Sequence, residues 1–212
     1  MFENQLENAL EVLNTHHMHF FEGLEYALET DQPTPEDSRA WSQILISVLT
    51  GIKGLARQKG QDLADGSDVK SANAWYSIDT VRFNGVIKAG TRSALSGNMA
   101  YLDQMPYLFF VLWDKNPIND MERTRVWAIR PQYDELFREV AENWYRQNAN
   151  GIIKSNNFQL HPPVNRNDDI FTNRCGDLSY PLLFMAEWNG TEYQVIHFSP
   201  DVLSAGECQV PD

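Results

Sequence analysis

Three changes of pattern along the 212 residues predict a mixed α/β (α+β) fold, with helices flanking a mixed central sheet. Apolar residues recur at helical spacing through the first part of the chain, short apolar runs take over in the middle, and one more helical stripe precedes a tail of short strands and loops. No internal repeat, low-complexity tract or linker interrupts this order. A single domain over 1–212 is expected, with a helical part at 1–60, a sheet at 61–130, and a helix plus strands and loops at 131–212.

Each element rests on its own signal. Leu6, Leu10, Leu13, Phe20, Phe21, Leu24 and Leu28 stand three, four and seven apart, which predicts an amphipathic helix over Phe2 to Glu29, interrupted around His16. Asp31 to Asp37 holds two prolines and reads as a loop, with Asp37 or Ser38 capping a second helix that runs to about Gln58. That helix should bury Trp41, Ile44, Leu45, Val48, Leu49 and Ile52, and it gathers Lys53, Arg57 and Lys59 toward its end, where the helix dipole favours cations. Gln61 to Ala72 reads as strand, glycine turn and strand. Tyr107 to Asp114 reads as a buried strand and Arg123 to Arg130 as another. Gln132 to Asn148 is a helix with Leu136, Phe137, Val140, Trp144 and Tyr145 as its stripe, and further strands are expected at Leu182 to Ala186 and Tyr193 to Phe198.

Composition narrows the class. The first ten residues lack the basic start and unbroken apolar run of a signal peptide, and the longest apolar stretches fall far short of the roughly 20 residues of a membrane helix. Cys175 and Cys208, the two cysteines, have no metal-ligand spacing, which points to a reducing, cytoplasmic setting with no membrane partner and no organic cofactor. The formal charge of −12 argues against a nucleic-acid binder when taken as a total. Its distribution changes that reading: residues 1–40 carry −8, 41–130 carry +3 and 131–212 carry −7. The basic middle includes Lys53, Arg57, Lys59, Arg82, Lys88 and Arg92.

The most specific chemistry lies in Gln61-Asp62-Leu63-Ala64-Asp65-Gly66-Ser67-Asp68-Val69-Lys70-Ser71-Ala72. On a strand, Asp68 and Lys70 project from one face while Val69 points into the core. A three-residue loop Ala64-Asp65-Gly66, with Gly66 left-handed, sets Leu63 against Ser67 and Asp62 against Asp68. A two-residue loop Asp65-Gly66 turns Asp62 away. Two carboxylates can hold magnesium at about 2.0–2.1 Å while the ion keeps waters and takes a phosphate oxygen. A neighbouring ammonium can orient the attacking water or stabilise charge at phosphorus. The bland reading of the same residues is an Asp-Gly turn whose acids merely form the turn.

The stretch Asp65 to Asn73, followed by Ile78-Asp79-Thr80 and Arg82-Phe83-Asn84-Gly85, resembles the active-site region of type II restriction endonucleases of the PD-(D/E)xK superfamily. Tyr107 to Asp114 is similar to the core strand that follows the catalytic hairpin there, and Phe158 to Pro163 with Asn173 to Gly176 completes a likeness over roughly 60–185. The resemblance implies Mg2+-dependent hydrolysis of double-stranded DNA by a homodimer. Asp68 takes the place of the second acid and Lys70 that of the lysine. The first acid departs from the pattern, since no Pro-Asp stands ten or more residues upstream; Asp62, then Asp65, then Glu22 or Glu25 of the first helix are the candidates.

Candidate DNA contacts are Ser71, Asn73, Arg82, Asn84, Lys88 and Arg92, together with Asn165, Arg166, Asn173 and Arg174, where Arg and Asn suit guanine and adenine edges. Gly85 to Gly97 lacks Walker spacing and reads as a DNA-backbone loop or a plain surface loop. His16, His17 and His19 diverge on a helix and are expected as ordinary helix positions. Trp75, Trp127, Trp144 and Trp188 are expected in the core. A repair nuclease or junction resolvase of the same fold, and a non-catalytic DNA- or protein-binding module, remain as alternatives.

Overall fold

The computed structural model describes residues 2–32, 37–55, 61–77, 79–88 and 101–204. Its centre is a five-stranded sheet in the order β1-β3-β4-β8-β9, comprising β1 (Asp68–Asn73), β3 (Leu108–Lys115), β4 (Glu122–Ile129), β8 (Leu182–Trp188) and β9 (Tyr193–Phe198). β1 runs parallel to β3, and every other neighbouring pair in this sheet is antiparallel. The sheet thus draws strands from both the middle and the last third of the chain.

Helices α1 (Phe2–Glu29) and α2 (Arg39–Thr50) cover one face, packing Leu13, Phe20, Leu45 and Leu49 against Phe109, Val111, Trp113 and Val126. The other face is covered by a ribbon of β2 (Phe83–Lys88) and β5 (Asn157–Leu160) and by α3 (Glu135–Ala149). A short hairpin of β6 (Ile170–Phe171) and β7 (Leu178–Ser179) completes this layer. Here Leu108, Phe110, Leu112, Trp127 and Ile129 meet Phe83, Phe137, Trp144 and Phe171. β3 is therefore buried on both sides, which explains its unbroken apolar run. Burial of each large apolar side chain contributes roughly 1.5–3 kcal/mol.

Three elements differ from the sequence expectation for identifiable reasons. α1 is continuous through His16, because His16 occupies the same buried stripe as Leu13 and Phe20. Its ring stacks on Trp41 and Trp75 at 5.3 and 5.5 Å and meets Trp113 edge-on at 4.3 Å. That setting pushes its pKa down to about 4, chiefly through burial and then through His17 and His19.

α2 stops at Thr50, since Gly51 (φ 72°) takes the left-handed closing position and donates its N–H to Ser47 O. Lys53 thus lies beyond the helix and outside the reach of its dipole; Arg57 and Lys59 fall outside the described residues. α2 is also rotated from the apolar count: Ser42 and Ile46 are buried and Ile44 is 46% exposed. The Ser42 hydroxyl is satisfied inside, donating to Ser38 O and accepting from Trp113 Nε1, so a polar residue sits in the stripe without penalty.

α3 begins at Glu135 rather than Gln132, capped by the Asp134 carboxylate, which accepts from Phe137 N at 2.9 Å; Ala141 is buried and Leu136 is largely exposed. Trp75, Trp127 and Trp144 are core residues, and Trp188 packs partly buried beside Tyr193. Cys175 is a half-buried free thiol. Among the described residues no helix is long and apolar enough to cross a membrane.

Candidate active site

The expected hairpin at 61–72 forms only its second strand. Leu63 bridges Gly54 instead, with Leu55 N donating to Asp62 O and Ala64 N to Lys53 O. The turn itself has the three-residue form: Leu63 N donates to Ser67 O, Gly66 N to Leu63 O, and Gly66 has φ 99°. A side chain at Gly66 would press on Gln104 O at 3.2 Å, so both φ and space call for glycine there. Beyond the turn, Asp68 N donates to Tyr107 O and the chain enters β1 beside β3, with Asp68 aligned to Leu108 and Lys70 to Phe110.

Alternation along β1 then sorts the side chains. Val69 faces the helices, and Asp68, Lys70 and Ala72 face the β2–β5 side. Asp62 reaches this corner through its side chain rather than by strand pairing: Oδ2 accepts from Val69 N at 3.0 Å, and Oδ1 accepts from Gln43 Nε2 of α2 at 2.7 Å. Asp68 Oδ2 accepts from Lys70 Nζ at 2.6 Å, and Oδ1 from Val69 N. Asp68 is buried, only 4% exposed. Burial pushes its pKa up to about 6 against the pull of Lys70, with Asp62 adding to the rise. The same two carboxylates, after burial, raise the Tyr101 hydroxyl.

Asp65 is occupied by its own turn, accepting Ser67 N and Ser67 Oγ at 2.9 Å each. Glu22 and Glu25 lie on the exposed side of α1. Among the described residues no cluster of three His, Cys, Asp or Glu could hold a metal. The pair Asp62 and Asp68 is the available donor set. Two hard carboxylates in one partly dry corner, one of them pushed toward protonation by burial and, to a lesser degree, by the other, fit a small divalent cation that also keeps water and takes a phosphate oxygen.

The expected DNA contacts separate by face. Ser71 and Asn73 point toward the helices. Ser71 Oγ lies 2.8 Å from Ser42 Oγ and 3.1 Å from Ser38 Oγ, and Asn73 Oδ1 accepts from Trp75 N. Both are held by hydrogen bonds on that face. Arg82, just before β2, and Asn84 on it are exposed and linked by Arg82 Nε to Asn84 Oδ1 at 3.2 Å. Gly85 to Lys88 belongs to the β2 strand rather than to a loop, and Arg92 lies outside the described residues. Asn173 is a turn former, bonded to Gln159 O and Cys175 N, while Arg166 and Arg174 are exposed. Asn165 Oδ1 accepts from Lys115 N, so it too is held by the fold.

Sequence reasoning missed Gln43, whose amide fixes the Asp62 carboxylate, and Tyr101. It also missed Asp114, Arg123 and Arg125. Gln43 and Tyr101 carry no local signal, being distant in sequence. The Arg-x-Arg alternation on β4, with an acid ending the preceding strand, was a visible hint, because in an antiparallel pair those side chains fall on one face; Asp114 indeed aligns with Arg123.

The family model for the MamI restriction endonuclease matches residues 25–192. Among curated proteins, the type II restriction enzyme MamI of Microbacterium ammoniaphilum is 32% identical over 166 residues, covering 73% of this chain and 53% of that protein. The chain thus spans about half the length of that relative. No solved structure matches.

Proposed function

The chain belongs to the MamI restriction endonuclease family, and from that membership and the corner built by Asp62, Asp68 and Lys70 we propose a type II, site-specific deoxyribonuclease acting on double-stranded DNA. The observation that carries the chemistry is the convergence of two carboxylates and one ammonium at the start of β1, where Asp62 and Asp68 both accept from Val69 N and Lys70 donates to Asp68. The site reads as a PD-(D/E)xK site with Asp62 as first acid.

Asp62 and Asp68 would hold Mg2+. The bound ion supplies Lewis acidity toward the scissile phosphate and a lowered pKa for a bound water. Lys70, paired with Asp68, would place its ammonium beside the cation site, where it could orient the attacking water and stabilise charge at phosphorus. Water oxygen forms one new P–O bond, one phosphodiester P–O bond breaks, and the departing oxygen takes a proton. Gln43 acts through Asp62 as a positioning residue. Arg82, Asn84, Lys88 and Arg92 would supply contacts to the phosphate backbone, so affinity should fall steeply with salt despite the acidic total. One hydrolytic site per chain and two strands per duplex favour a homodimer, and the free thiol suits the cytoplasm.

Digestion of a mixed-sequence plasmid with Mg2+, followed by sequencing of the fragment ends, tests this. Discrete bands with a common sequence at their ends are expected. A smear would indicate a repair-type or nonspecific nuclease, and no cutting in Mg2+ or Mn2+ would refute the enzyme.

A further inference from the structure

Where β3 and β4 leave the corner of Asp68, a second charged cluster is sealed beneath the 163–169 segment. Asp114 is fully buried, and Arg123 and Arg125 are each 2% exposed. The Asp114 carboxylate accepts from Arg123 Nε at 2.9 Å and Nη2 at 3.0 Å, from Arg125 Nη2 at 2.8 Å, and from the backbone N of Asn165 at 2.9 Å. The cluster thus holds two cations for one anion. Apart from Arg125 Nε, which is buried without a hydrogen-bond acceptor among the described residues, these guanidinium groups direct their other donors at one short stretch of chain. Arg125 donates to Pro163 O at 2.6 Å and Asp168 O at 3.2 Å, and Arg123 donates to Arg166 O at 2.6 Å and Asn167 Oδ1 at 2.7 Å. Trp127 Nε1 holds Asp169 Oδ1 at 2.9 Å.

Burying unequal charge is a poor way to gain stability, since well-packed apolar residues do as well or better in such positions. What the arrangement provides is a fixed backbone path over 163–169, including the left-handed Asn165 (φ 51°), with Arg166 left 49% exposed at its crest. Arg166 Nη2 is steered by Asp168 Oδ1 and Ile170 O, both at 3.1 Å.

The placement is informative. Arg123, Arg125 and Asp114 project from the same face of the sheet as Asp68 and Lys70, because Ala72, Leu112 and Trp127 of those strands share one core. Asp114 lies six residues further along β3 than Leu108, the partner of Asp68, which is about 20 Å at 3.3 Å per residue. Along one DNA strand, at 3.4 Å per phosphate, that is roughly six nucleotides from a phosphate held at Asp68.

We propose that the Asp114–Arg123–Arg125 cluster is the mount of a base-reading segment, setting the shape of 163–169 so that Arg166 meets base edges in the major groove several base pairs from the cleaved bond. This rests on the nuclease reading above and adds to it the residues that position its specificity. Arg123, Arg125 and Asp114 are positioning residues; they do not touch DNA. An exposed guanidinium suits a guanine edge, but discriminates only if its backbone is held still.

The test compares wild type with Arg125→Lys, which keeps the charge and loses the fork, and with Asn167→Ala, which removes the side-chain tether between Arg123 and the crest of the loop and leaves the buried Asp114 pairs whole. Each is digested against the same mixed-sequence plasmid library, and fragment ends are sequenced. The variants should still cut with Mg2+, but at more sites, with discrimination between the preferred site and single-mismatch sites reduced about tenfold, within the range of one mismatch. An unchanged spectrum of cut sites in a folded variant that still cuts, whatever its rate or melting temperature, overturns the mount. Asn167→Ala carries the test should Arg125→Lys not fold. A wild-type chain that makes no cuts refutes the nuclease reading itself, and the mount with it.

Discussion

Two charged clusters sit at opposite ends of one sheet face, with opposite imbalances. At Asp62–Asp68–Lys70 acids outnumber the base, and Asp68 is driven toward protonation by burial and its neighbour. At Asp114–Arg123–Arg125 bases outnumber the acid, and four of the spare donor bonds end on oxygens of one loop. A negative excess near the surface is a place for a cation. A positive excess that is buried and directed mostly at one loop is a way to fix a shape.

The comparison is broken most severely at the acidic corner. Asp68→Asn should lower cleavage by at least about a hundredfold, the scale of losing one transition-state-stabilising group, and Lys70→Ala should do likewise. At neutral pH the Asn variant should nevertheless melt at or above the wild-type temperature, because it removes an ionised carboxyl that burial disfavours. The pH dependence sharpens this. The Asp68 pKa is raised from 3.8 to about 6 on folding, so its stabilising contribution is full below about 3.8 and lost as pH rises through 6. His16 is lowered from 6.5 to about 4, so its contribution is full above 6.5 and lost as pH falls through 4, about 3 kcal/mol in all. The two oppose each other over the same window. Thermal melts from pH 7 to 4.5 should therefore show a steeper acid loss in Asp68→Asn than in wild type; parallel curves would contradict the assignment.

At the other cluster the expected effect is on stability. Asp114→Ala leaves two buried guanidinium groups without their counter-charge and should cost about 3–5 kcal/mol in denaturant unfolding. A loss under about 1 kcal/mol would mean that the cluster is solvated rather than sealed.

The same contrast explains what could be read in advance. Apolar periodicity located β3, β4, β8 and β9 to within one or two residues and α3 to within three, because burial on one or both faces writes a period that polar neighbours do not hide. Asp68-x-Lys70 was legible for the same reason, as a two-residue alternation. Three things were not. Ser42 and His16 lie in buried stripes but count as polar, so α2 was rotated and α1 was broken. Gly51, one small residue, ends α2 although the apolar stripe runs on through Ile52. Arg123 and Arg125 look like the solvated half of an alternating strand until the 163–169 segment is known to lie over them. Long-range pairing was the other gap: residues 61–64 lie against 53–55, and β1 against β3, which no local pattern specifies.

The smallest expected effect decides which acid completes the cation site. Asp62 and Asp65 stand three apart and carry the same group, but their surroundings differ. Asp65 has both oxygens committed to Ser67 two residues on, an arrangement that Asn reproduces through Oδ1, and it is exposed. Asp65→Asn should thus change stability by no more than about 0.5 kcal/mol and leave cleavage intact. Asp62 is held by Gln43 from one side and Val69 N from the other, facing the carboxylate of Asp68. Replacing it with Asn keeps the shape and removes half of the negative charge, so metal affinity should fall by more than the about 10–100-fold that loss of an outer partner costs. Calorimetric titration of Mg2+ and Mn2+ into both variants, with cleavage in parallel, separates them. Full metal affinity in Asp62→Asn together with its loss in Asp65→Asn would mean that the turn opens on binding, and that the side chain now closing it is the one the cation takes.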